Sequence, residues 1–412
     1  MKTTLITNIK QLVGVDYYNI TVAKGADMAH LPTIDNAFVL IEGETIKAFG
    51  PMEDLDMDNT NYDESIDATG RLVLPAWVDS HTHLVFAGSR EGEFVDKIKG
   101  LSYEEIAKRG GGILNSAVRL QQTSEEELYD SAMQRIEEIR GYGTGAVEIK
   151  SGYGLTVQDE LKILRVARKV KENTDLFVKT TFLGAHSFPS EYKENREGYI
   201  NLIINEMLPA VAAEGLADYC DVFCDRGFFT VEQTGRILGM AISLGIKPRL
   251  HANQLDFSGG VQVGVKYNAL SVDHLEHAGE DEIKALLGSE TMPTLLPASA
   301  FFLNLGYPPA RKMIEAGLPV AIASDYNPGS SPTGNMSLVV ALSCIKMKML
   351  PEEAINAATI NTAKALELSD KLGTIAIGKT ANLIITKPIP SYAYIPYSFG
   401  SNLIERTIVK GR

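Results

Sequence analysis

Residues 71–88 read RLVLPAWVDSHTHLVFAG, an apolar run that ends in two histidines two positions apart. A short run of this composition is typical of a buried β-strand, and its polar residues begin where the strand would stop. Side chains two positions apart on extended backbone project to the same side, so His81 and His83 point in one direction. If the ends of other strands lie beside this pair, their side chains would complete a functional site with the two histidines.

Seven further β-like runs follow, and longer charged segments of helical period separate them. The runs span residues 145–150, 177–185, 218–224, 247–252, 270–275, 291–297 and 318–325. Nearly every interval contains a plausible helix, for example SEEELYDSAMQRIEEIRGYG at 124–143. Eight strand–helix units predict an α/β fold, a closed (β/α)8 TIM-like barrel whose site lies at the carboxyl ends of the strands. A doubly wound open sheet is the alternative.

The two ends of the chain differ from this middle region and are similar to each other. They carry short β-rich runs broken by Gly, Asn and Asp. Examples are TTLITNI (3–9), YNITVA (18–23) and GTIAIGKTANLIIT (373–386). Such runs are typical of strands in a small sheet. We therefore predict a discontinuous β-sandwich domain, formed by residues 1–74 and 372–412, beside a catalytic barrel at 75–371.

Composition narrows the classes of partner and the cellular compartment. The 412 residues include 52 acidic and 39 basic side chains, a net charge of −13, without a dense basic segment. This balance disfavours binding to nucleic acid or to a membrane surface. Three cysteines are too few for a disulfide framework and are expected to be buried free thiols. The chain shows neither a signal-peptide core nor a run of ~20 apolar residues, so we expect a cytoplasmic protein.

Six of the seven histidines lie at or just past the ends of the barrel runs. His251 ends the fifth run and Asp325 ends the eighth, so closure of the barrel would bring both beside His81 and His83. Three imidazoles and one carboxylate suit a single divalent ion, zinc or iron, with one position left for water. An isolated His-x-His pair is often only hydrogen-bonded, but the later donors, in strand order, favour a metal site.

With these donors in place, the chain resembles the amidohydrolase superfamily and, within it, the imidazolonepropionase family. The motifs that carry the finer resemblance are HTHLVFAGSREGEF (81–94), RGGGI (109–113), EIKSGYGL (148–155), FLGAH (182–186) and SDYNPGS (324–330). They are similar to the family's motifs in order and spacing, and the resemblance extends through essentially the whole chain. A binuclear relative would carry a carboxylated lysine at the end of strand four. Here that run ends in Cys224 and Asp225, and Lys179 lies at the wrong end of strand three, which favours a mononuclear site.

The resemblance implies hydrolysis of 4-imidazolone-5-propanoate to N-formimidoyl-L-glutamate, a step of histidine degradation. A divalent ion would lower the pKa of a bound water toward about 7, and the resulting hydroxide would attack the ring carbonyl. Asp325 would take the water's proton and pass it to the departing ring nitrogen. His274, after strand six, would hydrogen-bond the water or the developing oxyanion. Gln254 cannot act as a base, although some relatives carry glutamate there, so it is expected to orient substrate or water.

The implied substrate carries a propanoate tail, and an anion in a partly dry pocket needs a paired cation. Arg90 is the candidate cation, with Tyr153 as a phenolic donor and His186 as the ring contact that the family implies. The family also implies contacts from the loop after strand eight, for which a plain Pro/Gly turn is nearly as good an explanation. The residues of this loop are Asn327, Gly329 and Ser330.

Several alternatives stay open on the sequence alone. RGGGI at 109–113 favours a mobile lid over a phosphate cradle, because no Lys-Ser/Thr follows it. A homodimer is implied by the family. Another barrel hydrolase acting on an uncharged ring would use the same donors, as would a metal-binding scaffold without activity. The first would not need Arg90, and the second gives no reason for a cation so near the ligands.

Overall fold

The structure is a computed structural model that describes residues 2–101 and 111–412. Its strands are β1 (Thr3–Val13), β2 (Thr33–Glu42), β3 (Thr45–Pro51), β4 (Glu64–Asp67), β5 (Leu72–Pro75), β6 (Trp77–Asp79), β7 (Thr144–Lys150), β8 (Phe177–Ala185), β9 (Tyr219–Cys224), β10 (Lys247–Ala252), β11 (Ser271–His274), β12 (Met292–Leu295), β13 (Ala321–Ile322), β14 (Leu383–Thr386) and β15 (Ile404–Ile408).

Helices fill the connections between the strands. The α-helices span Glu91–Ile98, Ile113–Gln122, Glu125–Gly141, Val157–Asn173, Arg196–Leu202, Leu208–Glu214, Val231–Ser243, Gly260–Lys266, Glu280–Leu287, Pro297–Leu303, Ala310–Glu315, Met336–Met347, Pro351–Asn356, Thr362–Ala365 and Tyr394–Tyr397. Short π-helical segments span Ile203–Met207 and Ala357–Asn361. Short 3₁₀ segments span Gly25–Ala29, Met52–Asp54 and Ser190–Tyr192.

The helix Glu125–Gly141 shows why the predicted helices form. The Ser124 hydroxyl accepts the Glu127 N–H at 3.2 Å, and the Glu127 side chain accepts from the Ser124 backbone, which satisfies donors that the first turn leaves free. Its buried residues recur at the spacing of one helical face, which packs on the barrel. They are Leu128, Ala132, Ile136 and Ile139.

Strands β6 to β13 form one parallel sheet in sequence order, and this sheet closes on itself. Asp325 N–H donates to the His81 carbonyl at 3.0 Å, and His83 N–H donates to the Tyr326 carbonyl at 2.9 Å, so the first and last strands are joined. The predicted barrel is therefore confirmed, and the open doubly wound sheet is wrong. Closure places the carboxyl ends of all eight strands at one rim.

The apolar run that begins at residue 71, predicted to form the first of the eight barrel strands, is two strands that belong to different sheets. β5 pairs with β1 and β14 in the terminal sheet, whereas β6 pairs with β7 in the barrel. Pro75 has no N–H to continue a ladder, and the following Ala76 N–H donates to the Asn382 carbonyl at 2.9 Å. The chain thus passes from one sheet to the other at this proline.

Strands from both chain ends form a separate seven-stranded mixed sheet, in the order β15-β14-β5-β1-β2-β3 with β4 beside β1. The prediction of a strand at 18–23 is wrong, because those residues have no regular structure. The Asp16 carboxylate accepts the N–H groups of Tyr18 and Ile20 at 2.8 and 2.9 Å, which replaces a strand ladder with a local turn. The division at 74/75 and 371/372 remains our proposal for the domain boundaries.

All three cysteines are free, as predicted, but only two of them are buried. Cys220 and Cys224 are buried on β9, whereas Cys344 is partly exposed. The single tryptophan, Trp77, is fully buried. No helix within residues 2–101 and 111–412 is long and apolar enough to cross a membrane.

Candidate active site

Four predicted metal donors converge at the carboxyl end of the barrel: His81, His83, His251 and Asp325, which we call the donor cluster. His81 Nε2 is 3.1 Å from His251 Nε2 and 3.5 Å from Asp325 Oδ1. His83 Nε2 is 3.6 Å from the same carboxylate oxygen. Ligands of a tetrahedral zinc lie about 2.0–2.2 Å from the metal and hence roughly 3.3–3.5 Å from one another. The spacing therefore fits one shared cation.

Buried carboxylates fix the orientation of two of these rings. His81 Nδ1 lies 2.6 Å from Asp273 Oδ2, and His251 Nδ1 lies 2.9 Å from Asp221 Oδ2. Each ring donates its Nδ1–H to a carboxylate and keeps a lone pair on Nε2. Burial lowers the pKa of His81 well below its usual range, which keeps that ring neutral. The two Nε2 lone pairs face each other at 3.1 Å, an arrangement that a cation between them would stabilise.

A layer of fully buried charges lies beside these carboxylates. Lys150 Nζ is 2.8 Å from Glu148 Oε1 and 2.8 Å from Asp221 Oδ2. Arg249 Nη2 is 3.4 Å from Asp273 Oδ2. Burial alone would lower the pKa of Lys150, but Asp221 and Glu148 outweigh it and leave that pKa raised. Lys150 and Arg249 thus neutralise the two carboxylates that hold the histidines.

The turn after β13 aims the Asp325 carboxylate. Asp325 lies in the left-handed backbone region, with φ 55°. Ser330 Oγ donates to Asp325 Oδ2 at 3.0 Å, which leaves Oδ1 facing the histidines. Asn327 Oδ1 accepts the N–H groups of Gly329 and Ser330, both at 2.8 Å. Asn327 therefore shapes this turn, which agrees with the alternative that the loop is a plain structural turn. Asn327 also lines the cavity described below.

His274 lies in the same buried cluster, with a ring nitrogen within 4.8 Å of donor atoms of His81 and Asp325. Its Nδ1 is 3.7 Å from Glu276 Oε1. Burial alone would lower the pKa of His274, but Glu276 and other nearby carboxylates outweigh it and leave that pKa raised. A ring that retains a proton can donate a hydrogen bond, which suits the predicted contact with a water or an oxyanion.

The donor cluster borders a cavity of about 410 Å³, a size that suits a small ligand. All of the predicted substrate-binding residues line this cavity. They are Arg90, Tyr153, His186, Gln254, Asn327, Gly329 and Ser330. The structure thus brings the predicted residues together in one place. Lys97 also lines the cavity, although sequence analysis did not identify it.

Glu160 organises the loop that carries Tyr153. Its buried carboxylate accepts three backbone N–H groups, from Gly152 at 3.0 Å and from Gly154 and Leu155 at 2.8 Å. Burial raises the pKa of Glu160, and the hydrogen bonds from these donors offset part of that effect. The loop is therefore held from behind by a residue of the helix Val157–Asn173.

The same loop fixes the tautomer of His186. Its Nδ1–H donates to the Gly152 carbonyl at 2.9 Å, and its ring stacks on His83 with 5.0 Å between centroids. Burial lowers the pKa of His186 to about 3, so the ring is neutral and its Nε2 is an acceptor. Gly152 has φ 116°, and a Cβ at this position would lie 2.9 Å from His186 Nδ1, so only glycine fits.

Asp225 directly follows β9, the fourth strand of the barrel, and positions Gln254. Asp225 Oδ2 accepts the N–H groups of Gln254 and Leu255, both at 2.8 Å. This carboxylate oxygen therefore serves the backbone of the loop after β10. Lys179 points elsewhere, toward Asp218, with 3.5 Å between Nζ and Oδ1.

Arg90 is paired within the protein, which the sequence did not indicate. Its Nε and Nη2 donate to Glu93 Oε2 at 3.0 and 2.6 Å. Its Nη1 lies against Gly329, where a Cβ would stand 2.0 Å away, so a side chain at residue 329 would displace the guanidinium. Glu93 Oε1 also accepts the Gly112 N–H at 3.1 Å. Residues 109 and 110 lie outside the described residues, so the lid at 109–113 stays a prediction.

Sequence analysis missed the residues that support the site from behind. Asp221, Arg249 and Asp273 are charged residues inside apolar strand runs, and an interior charge in such a run is a usable signal. Arg249 precedes His251 by two positions and so faces the same side of β10. Glu160 and Glu93 lie on helices, where the sequence offers no comparable signal.

Fold and site together define a barrel hydrolase of the amidohydrolase class, in which the three-histidine cluster indicates a divalent metal. A family model described as "Amidohydrolase family" matches residues 251–412. Guanine deaminase of E. coli has the same fold, with a TM-score of 0.75 and 16% identity over 100% of this chain and 98% of that chain.

Two curated relatives are much more similar in sequence. The imidazolonepropionase of Flavobacterium johnsoniae is 59% identical over 409 residues, which cover 99% of each chain. That of Christiangramia forsetii is 56% identical over 410 residues, which cover 100% of this chain and 99% of the relative. The chain belongs to the imidazolonepropionase family.

Proposed function

We propose that this site hydrolyses the imidazolone ring of 4-imidazolone-5-propanoate and releases N-formimidoyl-L-glutamate, a step of histidine degradation. The observation that carries the proposal is the pair of Nε2 lone pairs facing each other at 3.1 Å on His81 and His251. They border a cavity that also contains Arg90, so a cation-binding and an anion-binding element share one small pocket. The relatives at 59% and 56% identity carry the name of this activity.

We assign the metal to the donor cluster. When bound there, one divalent ion, zinc or iron, would supply the Lewis acidity that lowers the pKa of a water and polarises the ring carbonyl. A single ion is supported by Asp225, because one of its carboxylate oxygens already accepts two backbone N–H groups. The burial of His81 and His83 supports ligation as well, because it lowers both pKa values and keeps the rings neutral.

Asp325 of the donor cluster carries out the proton transfers, and two residues beside the cluster orient the reacting groups. Asp325 accepts a proton from the attacking water and delivers it to the ring nitrogen as the C–N bond breaks. The water's oxygen and its second proton stay on the former carbonyl carbon as a carboxylic acid, which ionises at neutral pH to the new carboxylate and releases that proton to solvent. His274 donates a hydrogen bond to the oxygen that gains charge, and Gln254 orients the ring or the water.

Cavity residues outside the donor cluster hold the substrate. Arg90 binds the propanoate tail, and the Tyr153 hydroxyl donates a hydrogen bond to it. Burial raises the pKa of Tyr153, which keeps the phenol protonated. The neutral His186 accepts a ring N–H at Nε2. The loop after β13 completes the contacts through Asn327, Gly329 and Ser330.

Metal quantification combined with a turnover assay tests this proposal. The purified protein should contain about one divalent ion per chain and should consume imidazolonepropionate. Removal of the ion by a chelator should abolish turnover, and zinc or ferrous iron should restore it. Metal-loaded protein that consumes an uncharged imidazolone but not the propanoate would contradict the substrate assignment and favour another barrel hydrolase.

Two further points rest on the family and the composition alone. We propose a homodimer, which sedimentation of the purified chain would test against a monomer. We propose a cytoplasmic location, which fractionation of the source cells would test.

A further inference from the structure

The end of the cavity near Gly329 carries two cations from one short segment, Arg90 and Lys97, and only one of them is neutralised. Arg90 makes two hydrogen bonds to a single oxygen of Glu93, at 2.6 and 3.0 Å, and the two side chains are 9% and 12% exposed. The pair of Arg90 and Glu93 therefore carries no net charge toward a ligand. The guanidinium of Arg90 can still direct a hydrogen bond to a ligand, because Glu93 does not bind its Nη1.

Lys97 is the other cation. Its Nζ is 3.5 Å from the Gly329 carbonyl and 5.6 Å from the centroid of the Phe302 ring. Within residues 2–101 and 111–412, no carboxylate forms a salt bridge with it. Burial and the nearby Arg90 guanidinium lower the pKa of Lys97 by more than the Glu93 carboxylate raises it, and an anion bound beside Lys97 would relieve both lowering effects.

We infer that Lys97 is a specificity-determining residue, which supplies the net positive charge that selects a substrate with one carboxylate. Arg90 then orients the tail through its hydrogen bonds, and Glu93 neutralises the charge of the Arg90 guanidinium. The charges of Arg90, Glu93 and Lys97 add to one positive charge, which matches the single negative charge of a propanoate tail. This inference rests on the proposed function, because it concerns the tail of the same substrate.

The geometry favours a carboxylate that bridges both cations. Arg90 Nη1 lies against the Cα of Gly329, and Lys97 Nζ lies near the carbonyl of the same residue. Both therefore border one point of the cavity wall. A ligand without a negative charge would gain little from Lys97, because an ammonium group is strongly hydrated and costly to desolvate without an anion.

The first experiment compares Lys97→Met with Lys99→Met, an exposed lysine of the same segment as the matched control. Lys97→Met should raise KM for imidazolonepropionate about tenfold, while kcat stays within about twofold, because tail binding is largely uniform between ground and transition states. Lys99→Met should change neither constant. The KM for the uncharged propanamide analogue should be the same in Lys97→Met and the wild type. Thermal unfolding should show that Lys97→Met is as stable as the wild type.

A double variant tests the role assigned to Glu93. In Glu93→Gln/Lys97→Met no carboxylate neutralises the guanidinium of Arg90, so KM for the propanoate should fall back toward the wild-type value. A KM as high as in Lys97→Met alone would overturn the charge assignment. An unchanged KM in Lys97→Met, with active wild-type enzyme, would overturn the inference while the proposed function stands. Absence of turnover by the metal-loaded wild type would overturn both.

Discussion

The donor cluster and the tail end of the cavity are built in different ways. Two rings of the cluster are held by Asp221 and Asp273, whose side chains have 0% exposure and which are themselves paired with buried cations. At the end of the cavity that we propose for the substrate tail, Arg90 and Glu93 pair with each other. The proposed metal site is thus preorganised by rigid burial, whereas the proposed tail site depends on a balance of charge. Mutations should separate the two.

Loss of a ligand should give the largest effect. His251→Ala should lower metal content to a small fraction per chain and lower kcat/KM by about 1000-fold or more, because the remaining donors cannot hold the ion in place. Metal analysis and kinetics on the same sample measure both. His277→Ala is the matched control, since that ring packs against Phe257, outside the cavity. Retention of metal and activity by His251→Ala would refute the ligand set.

Loss of a supporting carboxylate should weaken metal binding without removing a ligand. Asn at position 221 would present a donor to His251 or to Lys150, so Asp221→Asn should weaken metal affinity about 100-fold. A competition titration with a chelator of known affinity measures this. The control is Asp218→Asn, a change just before β9 in a carboxylate that lies near Lys179 and not near the donor cluster. Equal affinity in Asp221→Asn and wild type would show that the preorganisation is unimportant.

Changes at the tail end should leave the metal in place. Arg90→Met should raise KM about 30-fold and lower kcat much less, because it removes a charged hydrogen-bond donor from a uniform binding contact. Metal content should match that of the wild type. A variant that lost kcat alone, with KM unchanged, would mean that Arg90 acts on the reacting atoms and not on the tail.

The smallest of these effects should come from Glu160, which touches neither metal nor substrate. A Gln at this position can accept from Gly154 and Leu155 but turns its NH₂ toward the Gly152 N–H, which loosens the partner of His186. Glu160→Gln should raise KM about tenfold. Glu172→Gln, exposed on the same helix, is the control. In a His186→Ala background the effect of Glu160→Gln should shrink; an undiminished effect would contradict positioning through His186.

The sequence predicted the parts of the molecule that follow strand order. The eight barrel strands and the four donors are each marked by an apolar run and by the residue that ends it, so closure alone determines that the donors meet. The strand predicted at 18–23 was wrong because β-propensity carries no information about the Asp16 side chain, which captures two backbone donors.

Other parts of the site depend on contacts that strand order does not determine. Glu93 pairs with Arg90 and Glu160 holds the loop at 152–155, yet both are ordinary helix residues in the sequence. Lys97 is one of many lysines in the sequence, and only its distance to Gly329 in the fold shows that it lies at the site. Such roles arise from packing between elements, which local pattern cannot encode.

The most direct test of the central claim is a crystal structure of the metal-loaded protein with anomalous data collected at the metal's absorption edge. We expect one peak per chain, with Nε2 of His81, His83 and His251 and a carboxylate oxygen of Asp325 about 2.0–2.2 Å away. A peak that His251 does not ligate, a second peak beside Lys150, or no peak in active protein would contradict the account.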